Sequence, residues 1–376
     1  KNYCNKEALK YYHRLHTWLT QDPGQRKEPE LQLCPPPSIA RVLINIAEIN
    51  SLIGEWDETE ATLQEAFVEA NRTAAQKDIF DCLRLRGILA FRKGRMDQAL
   101  ADWESGLSTA QELDKADSTN ETKLLLAIAH GNLGIWYQHH KQTEPALEHH
   151  RKSLDYARTT NSQIQIAKTL SNLGFYSINL GNYSEAETLL NQCLEICREE
   201  RLLQLESIAL GNLGYLYHKQ GKLDNARPYF EQKWLLVDKL DDMAERIKVL
   251  GNIANIHRDK GEHREALEYY RRVLGLKTRL GNKQELAITH CAIADELAEI
   301  GQIQEAITQI EQAIEYSMDN PKKQCEYIYY QATYHLQAGD SEQALSQCQM
   351  ALVLAQESAR TQVANLCEEL KTKLTK

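Results

Sequence analysis

Apolar residues recur along the chain at the three- and four-residue spacing of amphipathic helices, and the pattern restarts about every 40 residues. Each restart has an anchor position, usually glycine, followed five residues later by alanine. Gly54/Thr59 and Lys141/Ala146 are copies with one substitution, and successive anchors lie 40, 47, 40, 40, 40, 40 and 38 residues apart. The spacing predicts eight tandem units. The complete anchor pairs are Gly94/Ala99, Gly181/Ala186, Gly221/Ala226, Gly261/Ala266, Gly301/Ala306 and Gly339/Ala344.

A small residue stands seven positions before every anchor, and leucine or isoleucine usually precedes it. A small side chain lets two helices approach closely, and glycine at the anchor permits the positive φ of a tight turn. Each unit is therefore predicted to be a helix–turn–helix hairpin whose two helices meet at the small residue. The small residues are Ala47, Gly87, Gly134, Gly174, Gly214, Ala254, Ala294 and Ala332.

This pattern resembles the tetratricopeptide-repeat family in its 40-residue form, which occurs in bacterial signalling regulators and in eukaryotic cargo and polarity adaptors. The resemblance covers roughly residues 38 to 360 and implies an all-α fold, a right-handed α-solenoid (superhelix) of eight repeats. The chain departs from the family at its first tryptophan position, in seven extra residues around Asp117–Thr122, and at Lys141. The family's Leu-Gly, Tyr, Gly, Ala and aromatic positions are matched by Leu213, Gly214, Tyr217, Gly221, Ala226 and Phe230.

Outside the repeats, residues 1–20 are predicted to form a separate N-terminal helix, which either caps the first repeat or ends a preceding domain. Residues 21–37 are predicted to be a linker because the run Pro35–Pro37 cannot be helical. The repeat domain is expected at residues 38–376, of which 361–376 form either a C-terminal cap or a connection. The chain begins at Lys1 and is expected to be a segment of a longer protein.

Charge and cysteine content narrow the function. A net charge of −9 disfavours general nucleic-acid binding, which requires a basic surface. No apolar run approaches the roughly 18 residues of a membrane span. Nine cysteines without a CxxC motif fit the reducing cytoplasm better than a disulfide framework. No cofactor is expected.

Asparagine recurs nine positions before the anchor in several repeats. In the resembled family the first helix of each repeat lines a concave groove that binds partners. A carboxamide can donate to one peptide carbonyl and accept from one peptide N–H, so an asparagine ladder is predicted to hold an extended peptide. The alternative is that these amides bond to the neighbouring repeat within the array. The ladder residues are Asn45, Asn132, Asn172, Asn212 and Asn252.

The same groove is predicted to offer further contacts. Its cations predict acidic peptide side chains over the middle repeats, whereas Asp295 and Glu299 predict a basic end near the seventh repeat. The alternative is ordinary solvated charge. Next to the ladder, Ser171, Gly211 and Gly251 stand where chaperone-binding family members carry lysine, which argues against a chaperone adaptor. The further candidate peptide-binding residues are Lys168, Phe175, Asn179, Tyr215, His218, Lys219, Lys248, Asn255 and Arg258.

No catalytic motif is present, and an enzyme is not expected. His139–His140 and His149–His150 are adjacent pairs that point about 100° apart on a helix, so a metal site is not expected either. The chain is predicted to be a protein- or peptide-binding scaffold or sensor domain of a larger intracellular regulator, with an effector domain possible in the same protein. Two alternatives stay open: a ligand-responsive regulator that captures a short signalling peptide or small molecule and changes superhelical pitch, and a self-assembly module.

Overall fold

The computed structural model describes residues 2–21, 37–240 and 243–374. Within these residues the chain forms 18 α-helices and no β-strand. The linker predicted at 21–37 falls almost wholly outside them. The helices are α1 (Asn2–Thr20), α2 (Ile39–Ile53), α3 (Trp56–Arg72), α4 (Gln76–Arg92), α5 (Met96–Ala116), α6 (Asn120–His139), α7 (Thr143–Thr159), α8 (Gln163–Asn179), α9 (Tyr183–Glu199), α10 (Leu203–Lys219), α11 (Leu223–Leu240), α12 (Met243–Asp259), α13 (His263–Leu280), α14 (Lys283–Glu299), α15 (Ile303–Tyr316), α16 (Pro321–Gln337), α17 (Ser341–Glu357) and α18 (Thr361–Leu374).

Helices α2 to α17 alternate as the first and second helices of eight helix–turn–helix repeats, which confirms the predicted all-α repeat fold. Every anchor residue adopts the left-handed backbone conformation. The seven anchor glycines have φ between 71° and 90°, and Lys141 has φ of 57°. A non-glycine residue in this conformation costs roughly 1–2 kcal/mol. Lys141 adopts the conformation nonetheless, so the third repeat turns at the same position as the others.

The chain divides into two compact units, residues 1–216 and 217–376, which are described separately. In the first unit each first helix packs against its own second helix and also touches the next first helix: α2 with α4, α4 with α6 and α6 with α8. In the second unit the hairpins are α12–α13, α14–α15 and α16–α17. The first helices of the first unit consequently lie side by side.

The predicted close-contact positions are buried. Leu190 lies so near Gly174 that a Cβ built on the glycine would be 2.7 Å from the leucine Cγ. A Cβ built on Gly134 would likewise be 2.7 Å from the His150 ring. These glycines therefore set the distance between the two helices of a repeat. The alanines five residues after the anchors are all 0% exposed: Ala99, Ala146, Ala186, Ala226, Ala266, Ala306 and Ala344.

The seven extra residues of the third repeat are absorbed by a longer helix. Helix α5 continues for 21 residues, and only Asp117 to Thr119 separate it from α6. Thr119 begins α6 with a capping box, because its side chain accepts from the Thr122 N–H and Thr122 bonds back. The insertion thus lengthens the helices on either side of one connection between repeats and does not disturb the register of later repeats.

Extra helices cover both ends of the array. Leu15 and Trp18 of α1 are buried against Val42 and Ile46 of α2. At the other end, α18 packs on α17 and buries residues such as Cys367. Each end repeat therefore has its apolar side covered by one additional helix.

Three histidines form a buried group in the first unit. His130 Nδ1 lies 3.0 Å from His149 Nδ1, and the His130 ring stacks on Tyr156 with planes 6° apart. His150 is fully buried, and neither ring nitrogen has a hydrogen-bond partner. Burial lowers the pKa of His130 and of His150 to about 4 in each case, with a further contribution from His149.

Replacing Gly174 with alanine is expected to destabilise the first unit by about 1–3 kcal/mol, because Leu190 is fully buried and cannot move aside. The matched control is Gly251→Ala, since a Cβ there meets no atom within 4 Å and alanine favours helix by up to about 1 kcal/mol. Urea unfolding midpoints measure both. Equal effects of the two substitutions would show that close packing does not explain Gly174.

Acid is expected to destabilise the fold through the buried histidines. Since their pKa is about 4 when folded and near 6.5 in an unfolded chain, the unfolded state binds more protons within that window. Stability is therefore lost as the pH falls from about 6.5 towards 4. The loss between pH 7 and 5 is on the order of 2 kcal/mol per ring. The urea unfolding midpoint of His130→Phe should depend less on pH than that of the wild type. The control His139→Gln changes an exposed histidine and should keep the wild-type pH dependence. If both variants keep it, burial of His130 does not cause the loss of stability in acid.

Candidate functional site

In the first unit, three neighbouring first helices present matching side chains on one face, here called the three-helix face. The positions are spaced by four and three residues along each helix, which places them on one side. None of these side chains is buried, so all are accessible in part or in full. The face consists of Ile128, Asn132 and Ile135 on α6, Lys168, Asn172 and Phe175 on α8, and Ile208, Asn212 and Tyr215 on α10.

The arrangement forms three rows across the helices. The central row holds the asparagines, and the row nearer the anchors holds Ile135, Phe175 and Tyr215. The rings of Phe175 and Tyr215 approach with centroids 5.8 Å apart and planes 33° apart. The carboxamide row could form hydrogen bonds with the backbone of a bound peptide. Apolar side chains of the same peptide would then cover the rings of Phe175 and Tyr215.

The three asparagines of this face are not equivalent. Asn212 Nδ2 donates to Ser171 Oγ at 3.1 Å, so this amide bonds within the array, as the alternative interpretation predicts. Asn132 Nδ2 is buried without a partner. Asn172 makes no hydrogen bond with any residue that the structure describes, and its side chain is partly exposed. Asn172 is therefore the amide most available to a ligand.

Lys168 is an exposed cation of the first unit. Surrounding protein nevertheless lowers the pKa of its amine. Arg84 of α4 lowers the pKa further, whereas Glu48 of α2 opposes the change. Among the described residues, no carboxylate forms an ion pair with Lys168.

Two cations of the first two repeats, Arg41 and Arg84, are neutralised within the chain. Arg41 pairs with Asp78 and, at 2.6 Å, with Asp81. Arg84 pairs with Glu48 at 2.6 Å. These pairs join neighbouring repeats, and each removes a charge that a ligand would otherwise meet. Lys168 has no such partner among the described residues and stays available to an acidic side chain of a ligand.

Predicted residues of the second unit take part in an internal polar network. Tyr270 donates to Asn255 Oδ1 at 2.6 Å and receives a bond from Arg258 at 3.3 Å. Asp259 accepts from Arg258 at 3.0 Å and lies 2.6 Å from His218 Nε2. Arg258, Asn255 and His218 are thus already engaged.

The remaining candidates are placed individually. Lys248 is exposed and pairs with Glu245 at 2.8 Å, and Lys219 is exposed at the end of α10. Asn252 and Asn45 are half-buried on α12 and α2. Asn179 is exposed at the end of α8, four residues beyond Phe175. In the seventh repeat, Tyr334 donates to Asp295, and burial raises the pKa of that carboxyl group.

The described residues contain neither a metal-binding group nor a membrane-spanning helix. No group of three or more His, Cys, Asp or Glu side chains among them could hold a metal ion. Nor does any helix within the described ranges have the length and apolar character needed to cross a membrane.

Family models match two parts of the chain. The model described as tetratricopeptide repeat matches residues 165–232 and 245–318, where the small residues and anchors keep their register. These two stretches of the chain are tetratricopeptide repeats. A model described as anaphase-promoting complex subunit 5 matches residues 316–376.

Two curated relatives are similar to parts of this chain. Response regulator aspartate phosphatase J of Bacillus subtilis (strain 168) is 26% identical over 192 residues, which is 42% of this chain and 50% of that protein. A Tonsoku-like protein of Mus musculus is 23% identical over 335 residues, which is 80% of this chain and 24% of that protein. The chain therefore spans half or less of the length of these relatives.

Two solved structures with the same fold cover most of this chain. A signal transduction ATPase with numerous domains and a tetratricopeptide-repeat sensor, from Pyrococcus horikoshii, has a TM-score of 0.69 and 15% identity over 89% of this chain and 49% of its own. A Rap protein complexed with Competence and Sporulation Factor has a TM-score of 0.55 and 13% identity over 97% of this chain and 100% of its own. At these identities the likeness establishes the tetratricopeptide-repeat fold alone.

The hydrogen bond between Asn212 and Ser171 is expected to appear as an energetic coupling between the two residues. Urea unfolding of Ser171→Ala, Asn212→Ala and the double variant should give a coupling of about 0.5–1.5 kcal/mol. The matched control is the cycle of Ser171→Ala with Asn172→Ala, in which no bond joins the two side chains. Equal couplings in both cycles contradict the assigned partner.

Proposed function

We propose that this chain is the partner-binding part of a larger intracellular regulator and holds an extended peptide segment along the three-helix face. The observation that carries the proposal is the combination of an unbonded Asn172 with an unpaired Lys168 four residues earlier, among the described residues. A free amide and a free cation on one helix face provide a backbone contact and a side-chain contact at neighbouring points of one peptide.

The aromatic row supplies the apolar part of the contact. Phe175 is 36% exposed, which leaves part of a large ring open to solvent beside Tyr215. Covering such rings with a partner's side chains contributes affinity that amide bonds alone, at about 0.5–1.5 kcal/mol each, do not supply. Similar proteins agree with this role. One is described as complexed with Competence and Sporulation Factor, and another as carrying a tetratricopeptide-repeat sensor.

We further propose that the chain acts without catalysis and works in the cytoplasm. One Bacillus relative is named a phosphatase, but cysteine nucleophiles are disfavoured in this chain. The seven cysteines whose side chains the structure describes are buried free thiols, and burial raises the pKa of Cys82 and Cys367 to about 12. Free thiols also fit a reducing compartment. Because the chain spans half or less of its curated relatives, we place an effector domain elsewhere in the protein.

Selection from a displayed library of random peptides on the whole chain tests the peptide-binding role. Peptides selected on the wild type should bind Asn172→Ala at least threefold more weakly and Lys168→Ala/Asn172→Ala at least tenfold more weakly, because an amide and a charged contact are lost. Isothermal titration with the selected peptides gives the dissociation constants, and circular dichroism confirms folding.

The matched control is Asn191→Ala, which removes an exposed asparagine from the second helix α9 of the same unit. It should bind the selected peptides like the wild type. If peptides are selected but bind all variants alike, the three-helix face is not the binding site. If repeated selections on the folded wild type enrich no peptide, the peptide-binding role itself is wrong.

A further inference from the structure

The second unit contains a cavity of about 620 Å³ lined mainly by its second helix α13, whereas the three-helix face belongs to the first unit. It lies beside α13, where the chain passes from α14 to α15. Its volume is within the range of about 300–1,000 Å³ that is usual for small-molecule sites. The lining includes Arg264, Leu267, Glu268, Arg271, Arg272 and Ile300.

The sequence of α13 explains why positive charge gathers here. Arg264, Glu268 and Arg271 are spaced by four and three residues, so they project from the same side of the helix. Leu267 is 5% exposed and contributes an apolar wall, together with Ile300 from the end of α14. The cavity therefore combines an apolar wall with guanidinium groups at its rim.

These arginines are weakly compensated. Arg264 forms no ion pair within the described residues, and the nearest carboxylate to Arg271 is that of Glu305 at 3.9 Å, with both side chains 58% exposed. The guanidinium of Arg272 lies over the rings of Tyr269 and Trp234, 5.3 Å and 5.6 Å from their centroids. Cation–π contacts hold this side chain in place without cancelling its charge.

The contrast with other cations in the chain is informative. Arg41 and Arg84 are paired with carboxylates across repeats, in a protein whose net charge is −9. Three arginines against a single lining carboxylate, Glu268, therefore form a locally positive site in an acidic chain. A small anion can approach such a site more readily than it approaches the remaining surface.

We propose that this cavity binds an organic phosphate of about nucleotide size. A guanidinium presents paired N–H groups that match phosphate oxygens, and Arg264 and Arg271 can address one phosphate group from two sides. A bare phosphate ion would leave most of the cavity and its apolar wall in contact with water. A larger molecule covers Leu267 and Ile300 with its organic part while its phosphate reaches the arginines. Gln302, the N-cap residue of α15, also lines the cavity, so the positive end of the α15 dipole lies at the same rim.

Adenosine diphosphate is a suitable probe, compared with adenosine and with inorganic phosphate at low ionic strength. Isothermal titration of the whole chain should show that adenosine diphosphate binds at least tenfold more tightly than either control. The variant Arg264→Gln/Arg271→Gln should lose at least tenfold in affinity. Glu268→Gln should bind more tightly, because it removes the carboxylate that repels the phosphate. An increase in affinity on substitution is a result that mere loss of folding cannot produce.

The matched control is Arg279→Gln, which removes an equivalent exposed charge from the far end of the same helix, outside the cavity. It should bind adenosine diphosphate like the wild type. If the double variant and Arg279→Gln weaken adenosine diphosphate binding equally, net charge alone explains the effect and the proposed site is wrong. Equal affinity for inorganic phosphate would overturn the assignment of an organic ligand, and no binding of any probe would overturn the proposal entirely.

Discussion

The close approach of two helices at a small residue is the constraint on which this structure depends. At Gly174 and Gly134 there is no room for a Cβ, because Leu190 and His150 already fill the space. The left-handed anchor residue seven positions later then fixes the direction in which the second helix returns. Since both features recur with the same spacing, each side-chain position has a counterpart on the next repeat, and the rows of the three-helix face follow from that register.

Repetition also decides how polar groups are satisfied. Several partners stand about one repeat apart in the sequence, such as Arg41 with Asp81 and His218 with Asp259. Such pairs stabilise the contact between successive repeats and at the same time use up groups that a ligand would need. The side chains best placed to contact a ligand are therefore those without a partner in the neighbouring repeat. Lys168 and Asn172 on the first-helix side, and Arg264 and Arg271 on the second-helix side, are places of this kind.

The sequence was sufficient to predict the helices, their turns and the number of repeats, because a fixed period places the same physical requirements at every copy. Even Lys141 was assigned to its anchor position, since Ala146 and the small residue Gly134 kept the register around it. The contacts of the candidate site were harder to predict. Whether Asn212 faces a ligand or bonds to Ser171 depends on a side-chain rotation that spacing does not specify. Likewise, Tyr270 reaches Asn255 from the second helix of its own hairpin, and a comparison of first-helix positions alone could not reveal that contact.

The surroundings of Lys168 have a chemical consequence. An amine attacks electrophiles only in its neutral form, and its protonated form is less favoured here than on an open surface, because protein and Arg84 surround the group. The side chain nevertheless remains open to solvent, so small reagents can reach it. At a given pH this lysine therefore has a larger neutral, reactive fraction than an ordinary surface lysine. Amine-directed covalent chemistry would therefore be drawn to the middle of the three-helix face.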